Sequence, residues 1–109
     1  MIVTTTRMKI TSANQSELFQ TILPLLGKVR GERGCVSSHL YIDAGDENAS
    51  ILVEEWETEA DWDNHLQTRE CSVLMGAVSV LCYPQGVEFK LLKYVAGIEA
   101  LTESRSSHD

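Results

Sequence analysis

From position 2 to position 10 the side chains alternate. Ile2, Thr4, Thr6, Met8 and Ile10 fall on one side of an extended chain, and Val3, Thr5, Arg7 and Lys9 on the other. The β-branched content makes this a strand. After the polar TSA the period changes: Leu18, Ile22, Leu25, Leu26 and Val29 recur at helical spacing. Asn14, with Glu17 three residues later, has the form of a capping box and predicts that the helix opens there. Pro24 falls inside this helix. A proline removes one backbone hydrogen bond at a cost of roughly 3 kcal/mol, which predicts a kink or a restart. Gly31 and Gly34 bracket the exit. Residues 35–43, CVSSHLYID, predict a second strand, with Val36, Ser38, Leu40 and Ile42 on one face and Cys35, Ser37, His39 and Tyr41 on the other. AGDENA, residues 44–49, predicts an irregular hairpin connection, and SILVEEWE, residues 50–57, a third strand.

Thr58, with Asp61 three positions on, caps a short helix that puts Trp62, His65, Leu66 and Arg69 on one stripe. Thr68 opens a fresh helix that turns Cys71, Leu74, Met75, Val78 and Leu81 or Cys82 inward. YPQG, residues 83–86, is a turn, and VEFKLLKYV, residues 87–95, is the last strand. The order is therefore β-α-β-β-α-β, with the second helical region broken in two. This predicts an α+β, ferredoxin-like domain over residues 1–96: a four-stranded antiparallel sheet with helices on one face. Residues 97–109 form a polar C-terminal tail, whose last stretch TESRSSHD is expected to fray. The other sheet face stays uncovered and carries Val3 and Tyr41, which predicts a symmetric homodimer.

With 109 residues the chain suits one domain with a single core. Its net charge of −7 and the lack of any Lys or Arg cluster exclude a phosphate-binding face, so neither nucleic acid nor an anionic membrane is an expected partner. No apolar run reaches the length of a membrane span, and MIVTTTRMKI has no signal-peptide pattern. Cys35, Cys71 and Cys82 are odd in number and widely spaced, so unpaired thiols in a cytoplasmic protein are expected, and no zinc site. The acidic run Asp43 to Glu47 reads as a solvated loop, because it lacks the ligand spacing of a calcium site.

The stretch EEWETEADWDNHLQT, residues 54–68, concentrates the candidate chemistry, since it holds both tryptophans and His65. Trp56 shares a strand face with Leu52 and Glu54. It suits a core position and also a wall for a flat ligand, and these roles are compatible. Trp62 suits packing or ligand contact, and Leu74 and Val78 on the next helix complete a candidate substrate-binding set. His65 is either a hydrogen-bonded core residue or a general base with a pKa near neutrality. His39 points toward the uncovered face and suits a structural role, and His108 lies in the tail. Of the neighbours Glu54 and Glu55, one must turn inward, and Arg7 is a possible mate for it.

RGERGCVSSHLYID followed by ILVEEWETEADWDNHLQT resembles the antibiotic biosynthesis monooxygenase domain family. The resemblance lies in Gly34-Cys35 entering the second strand, Leu40-Tyr41 later in it, Glu54 to Trp56 ending the third, and His65 in the following helix. It spans roughly residues 2–95. It implies a dimeric α/β barrel with a cleft between sheet and helices in each subunit. For activity it implies oxidation of a small aromatic or quinol-type substrate by O2 with no cofactor and no metal, His65 taking the phenolic proton. Relatives that degrade haem or isomerise a small dione share the fold, and a non-catalytic metabolite-binding dimer would keep it. Two positions depart from many relatives: Ser38 replaces an aromatic, and Arg69-Glu70 stand where a second histidine occurs.

Overall fold

The computed structural model describes residues 1–93 and 97–108. In chain order the elements are β1 (Ile2–Lys9), α1 (Ser12–Val29), β2 (Cys35–Asp43), β3 (Asp46–Trp56), α2 (Glu59–Leu66), α3 (Arg69–Leu81), β4 (Val87–Leu92) and α4 (Ile98–His108). The sheet is four-stranded in the order β2-β3-β1-β4, with every neighbouring pair antiparallel. This is the expected α+β, ferredoxin-like arrangement. Positions 94 and 95 of the expected last strand lie outside the described residues, as does the side chain of His108.

Alternation along β1 and β3 selects one face for the interior: Ile2, Thr4 and Met8 from β1, and Ser50, Leu52, Glu54 and Trp56 from β3 are buried. Leu18, Ile22, Leu26 and Val29 form the buried stripe of α1 that covers it. Met8, Ile10, Leu18, Ile22, Leu26 and Leu52 make one continuous apolar cluster, which Leu74 and Cys82 join. A second cluster, Ile2, Val29 and Trp56, packs with Cys35, Trp62 and Leu91. Each such side chain contributes roughly 1.5–3 kcal/mol by leaving water.

Several local expectations change. Helix α1 opens two residues before Asn14, on Thr11, whose carbonyl accepts from Asn14 N at 3.0 Å and Gln15 N at 3.1 Å. Thr11 caps through its backbone alone, so the Asn14–Glu17 box falls inside the helix. Pro24 neither kinks the helix into two elements nor restarts it. Both Pro24 and Gln20, whose carbonyl it cannot satisfy, are on the exposed side, where that oxygen is open to solvent. Strand β3 begins at Asp46, so the hairpin tip is short, with Gly45 N donating to Asp43 Oδ1 at 2.7 Å and a register irregularity beside it. The polar AGDENA is thus mostly strand. The tail is a helix over Ile98–His108, with Ile98 and Leu101 exposed.

A bulge at Val36 corrects the face assignment in β2. The register with β3 shifts between Cys35 and Ser37, so Cys35 and Ser38 both turn inward, while Val36 is 46% exposed. Ile42, beside a second shift, is exposed as well. The outer face of the sheet carries Val3, Thr5, Tyr41, Ile51, Val53 and Leu92, with Tyr41 and Leu92 about half exposed.

Candidate active site

Four neighbouring segments bring polar groups to one end of the buried face. Gly34 has φ 80°, the left-handed region, and a Cβ there would overlap the Asp61 side chain. This close approach, with Glu57 N donating to Gly34 O at 2.8 Å, ties the start of β2 and the segment before it to α2. Thr58 caps α2 as the sequence predicts, accepting from Asp61 N at 3.1 Å and donating to Asp61 Oδ2 at 2.8 Å. Thr68 caps α3 by accepting from Cys71 N at 3.2 Å and also donates to His65 O at 2.7 Å. The two caps fix the short α2, in which His65 is buried and Trp62 packs half-buried against the Ile2–Val29–Trp56 cluster.

His65 is 2% exposed, and both ring nitrogens face carboxylates. Nδ1 lies 2.9 Å from Glu32 Oε1, and Nε2 lies 3.7 Å from Glu54 Oε1. Glu54 Oε2 accepts from Ser38 Oγ at 3.1 Å. The Trp56 indole lies against the imidazole, with ring centroids 4.5 Å apart. Burial works against charge on His65, but hydrogen bonding to Cys71 and Glu32 and the charge of Glu54 outweigh it, and the pKa is pushed up to about 9. Burial raises the Glu54 pKa, with the His65 charge and the Ser38 hydrogen bond pulling it partly back. Burial, Glu54 and Glu32 together push the Cys35 thiol up to about 11. The surroundings of His65 therefore favour its cationic form, with Glu32 on one side of the ring and Glu54 on the other.

Beside it opens a cleft of about 410 Å³ between the sheet and α2–α3. Glu54, His65 and Cys71 reach it at its floor, Thr4 and Thr6 line it from β1, and Met8, Leu52, Leu74 and Val78 make its apolar walls. Trp62 from α2 and Phe89 from β4 also line it, with their rings 15° from parallel and centroids 6.4 Å apart. Of the residues singled out in the sequence, His65, Trp62, Leu74 and Val78 thus share one cleft.

Trp56 does not line the cleft. It is fully buried beneath His65, because its place at the end of β3 puts it under α2 and against Val29. Its Nε1 is buried with no hydrogen-bond partner among the described residues. One assignment around it is corrected. Arg7 is not the mate of Glu54: it lies on the opposite face of β1 and pairs with Asp43 at 3.5 Å. His65, the expected base, has Glu32 at one ring nitrogen and Glu54 facing the other, and its pKa is pushed up to about 9. His39 is exposed on the outer face, its Nδ1 3.3 Å from Arg30 Nη2, while Arg30 Nε donates to Ser38 O at 2.8 Å around the β2 edge. Sequence reasoning missed Glu32 and Phe89. Glu32 sits in the RGERG turn two residues before Gly34, where only the tertiary fold shows that it reaches α2.

The model of the family described as antibiotic biosynthesis monooxygenase matches residues 1–76. The chain belongs to the antibiotic biosynthesis monooxygenase family. The matched region contains Glu32, Ser38, Glu54, Trp56, Trp62, His65 and Cys71, and ends within α3. Solved structures agree on the fold. One described as an antibiotic biosynthesis monooxygenase is 22% identical with a TM-score of 0.77, covering 88% of this chain and 100% of that one. A Mycobacterium tuberculosis protein is 20% identical with a TM-score of 0.79, covering 88% and 96%. A conserved protein from Methanosarcina mazei Go1 is 17% identical with a TM-score of 0.79, covering 86% and 92%. No curated protein is detectably similar to the chain. Among the described residues, no group of three His, Cys, Asp or Glu side chains is placed to hold a metal ion, no cysteine is paired, and no helix is long and apolar enough to cross a membrane.

Proposed function

We propose that the cleft binds a small, flat phenol- or quinol-type substrate and that the protein is a cofactor-free monooxygenase acting on it with O2. The observation that carries this is the pairing of an apolar, aromatic-flanked cleft with a buried carboxylate–imidazolium group at its floor. Glu54, whose pKa burial raises, accepts the proton of a substrate hydroxyl. His65, kept cationic by Glu32, stabilises the resulting anion. That electron-rich anion is the reductant. One atom of O2 enters the substrate, which gives up two hydrogens, and the other atom leaves as water. Trp62 and Phe89 hold the flat ring, and the apolar walls exclude bulk water. The haem-degrading alternative needs a histidine lone pair for iron, and both His65 nitrogens are turned to carboxylates.

Oxygen-electrode measurements with metal-free protein and a panel of polycyclic phenols and quinols test this reading. Uptake with at least one substrate is expected, and Glu54→Gln should lower its rate by about 10²-fold or more. No uptake across the panel, together with a metabolite that raises the melting temperature, would establish a binding dimer instead.

The outer sheet face, with Val3, Tyr41, Ile51, Val53 and Leu92, supports a homodimer in which two sheets cover each other. Sedimentation at micromolar concentration should give twice the 12.1 kDa chain mass, and a monomer there would reject the assembly. Burial pushes the thiols of Cys35 and Cys82 up, which suits inert structural cysteines, and three cysteines with none paired among the described residues support a cytoplasmic protein.

A further inference from the structure

We infer that Glu54 makes this cleft selective for neutral, hydroxyl-bearing flat ligands and against ligands that carry an anion to its floor. The inference rests on the reading of the cleft as the substrate site, and it is independent of what happens to the substrate there.

Glu54 is only 6% exposed, yet it lines the cleft. Its two oxygens differ. Oε2 accepts from Ser38, while Oε1 accepts no hydrogen bond among the described residues and stands 3.7 Å from His65 Nε2, beyond ordinary hydrogen-bond length. Oε1 is thus an acceptor in want of a donor at the bottom of an otherwise apolar space. A ligand hydroxyl supplies that donor, and a bare hydrocarbon leaves it unmet.

An anionic ligand meets the reverse situation. No Lys or Arg lines the cleft among the described residues. Arg30 is engaged at the β2 edge with Ser38 O and His39, and Arg7 pairs with Asp43 on the other face of the sheet. The sole cation at the floor, His65, already serves Glu32 and Glu54. A carboxylate or sulfonate placed beside Glu54 would add a third negative group around one imidazolium, in a low-dielectric space that strengthens the repulsion. Selection against the anion is a specificity built by an uncompensated like charge.

Equilibrium binding of the intact protein to 2-naphthol, 2-naphthoate and naphthalene, followed by tryptophan fluorescence at neutral pH, tests the inference. The three probes share one flat frame and differ only in the group offered to Glu54. Wild type should prefer 2-naphthol over 2-naphthoate by about tenfold or more, and over naphthalene by a smaller factor. Glu54→Gln, a near-isosteric change checked for folding by circular dichroism, should bring naphthol and naphthoate within about threefold of each other. Equal or tighter binding of 2-naphthoate to the wild type overturns the inference, as does an unchanged ratio in folded Glu54→Gln. If naphthol is preferred as expected but no phenol consumes O2, the oxidation reading fails and the selectivity stands. If none of the three binds, both fall.

Discussion

Beneath α1 and beneath α2–α3 the same sheet face builds two different interiors. Under α1, Met8, Ile10, Leu18, Ile22, Leu26 and Leu52 pack as a dry apolar cluster. Two residues beyond Leu52 on β3, Glu54 points to the same side, and around it lie Ser38, Glu32 and His65, with a cleft beside them. The first interior lowers the free energy of the fold with every side chain it removes from water. The second loses hydration energy on three ionisable groups and leaves Glu32 Oε2 and Trp56 Nε1 buried without partners among the described residues. Apolar residues of similar size would fill that end at less cost. An expensive polar end kept next to a cleft is what makes that end the candidate site, with the cheap end as its support.

The sharpest way to break the comparison is to remove the cation. His65→Ala leaves the buried Glu54 and the half-buried Glu32 without this positive partner and opens a gap against Trp56. Urea unfolding should show a loss of about 3–5 kcal/mol, the cost of breaking a buried pair from one side. A loss below about 1 kcal/mol, the range of a surface pair, would mean that the carboxylates are solvated and the polar end is not an interior at all.

A smaller effect follows from the proton itself. The His65 pKa is pushed up from 6.5 to about 9, so the folded chain holds this proton more tightly than the unfolded chain does. The stability this gives is fully present below pH 6.5 and is lost as pH rises through about 9. At about 1.36 kcal/mol per pH unit it amounts to on the order of 3 kcal/mol. The raised pKa of Glu54 acts in the same sense, since it too favours the folded state most when protonated. Unfolding free energy should therefore fall between pH 6.5 and 9 in the wild type, and fall much less in His65→Gln. A wild-type profile flat across that window would remove the imidazolium from the account.

The apolar interior was legible in the sequence because it rests on periodicity. Leu18, Ile22, Leu26 and Val29 repeat at helical spacing and are the residues of α1 that are buried, and the period-2 face of β1 holds from Ile2 to Ile10. Both helix caps at Thr58 and Thr68 were legible for the same reason, a local rule with a local partner. The polar interior was only half legible. His65, Trp62, Leu74 and Val78 sit on helical stripes and could be placed in one cleft. Glu32 lies in a turn, where no period assigns a direction, and its contact with His65 joins positions 33 apart. The bulge at Val36 moved Cys35 and Ser38 to one side, which strict alternation places on opposite faces. For Trp56 the sequence allows a core position and a ligand wall together, and only the core position holds, because burial alone does not say which side of a histidine an indole occupies.

The smallest perturbation tests whether the two interiors are separate. Ile22 is fully buried in the α1 cluster and does not line the cleft. Ile22→Val removes one methylene there, and chemical denaturation should register a loss of about 0.5–1.5 kcal/mol. Met8, Leu52 and Leu74 belong to both regions: each packs in the cluster, and each also forms a wall of the cleft. If that shared wall is rigid, as close packing implies, the lost methylene stays local. The affinity of Ile22→Val for 2-naphthol, and its preference over 2-naphthoate, should then match the wild type within measurement error. A change in affinity comparable to the change in stability would show that the wall shifts and that the cleft takes its shape from the packing under α1.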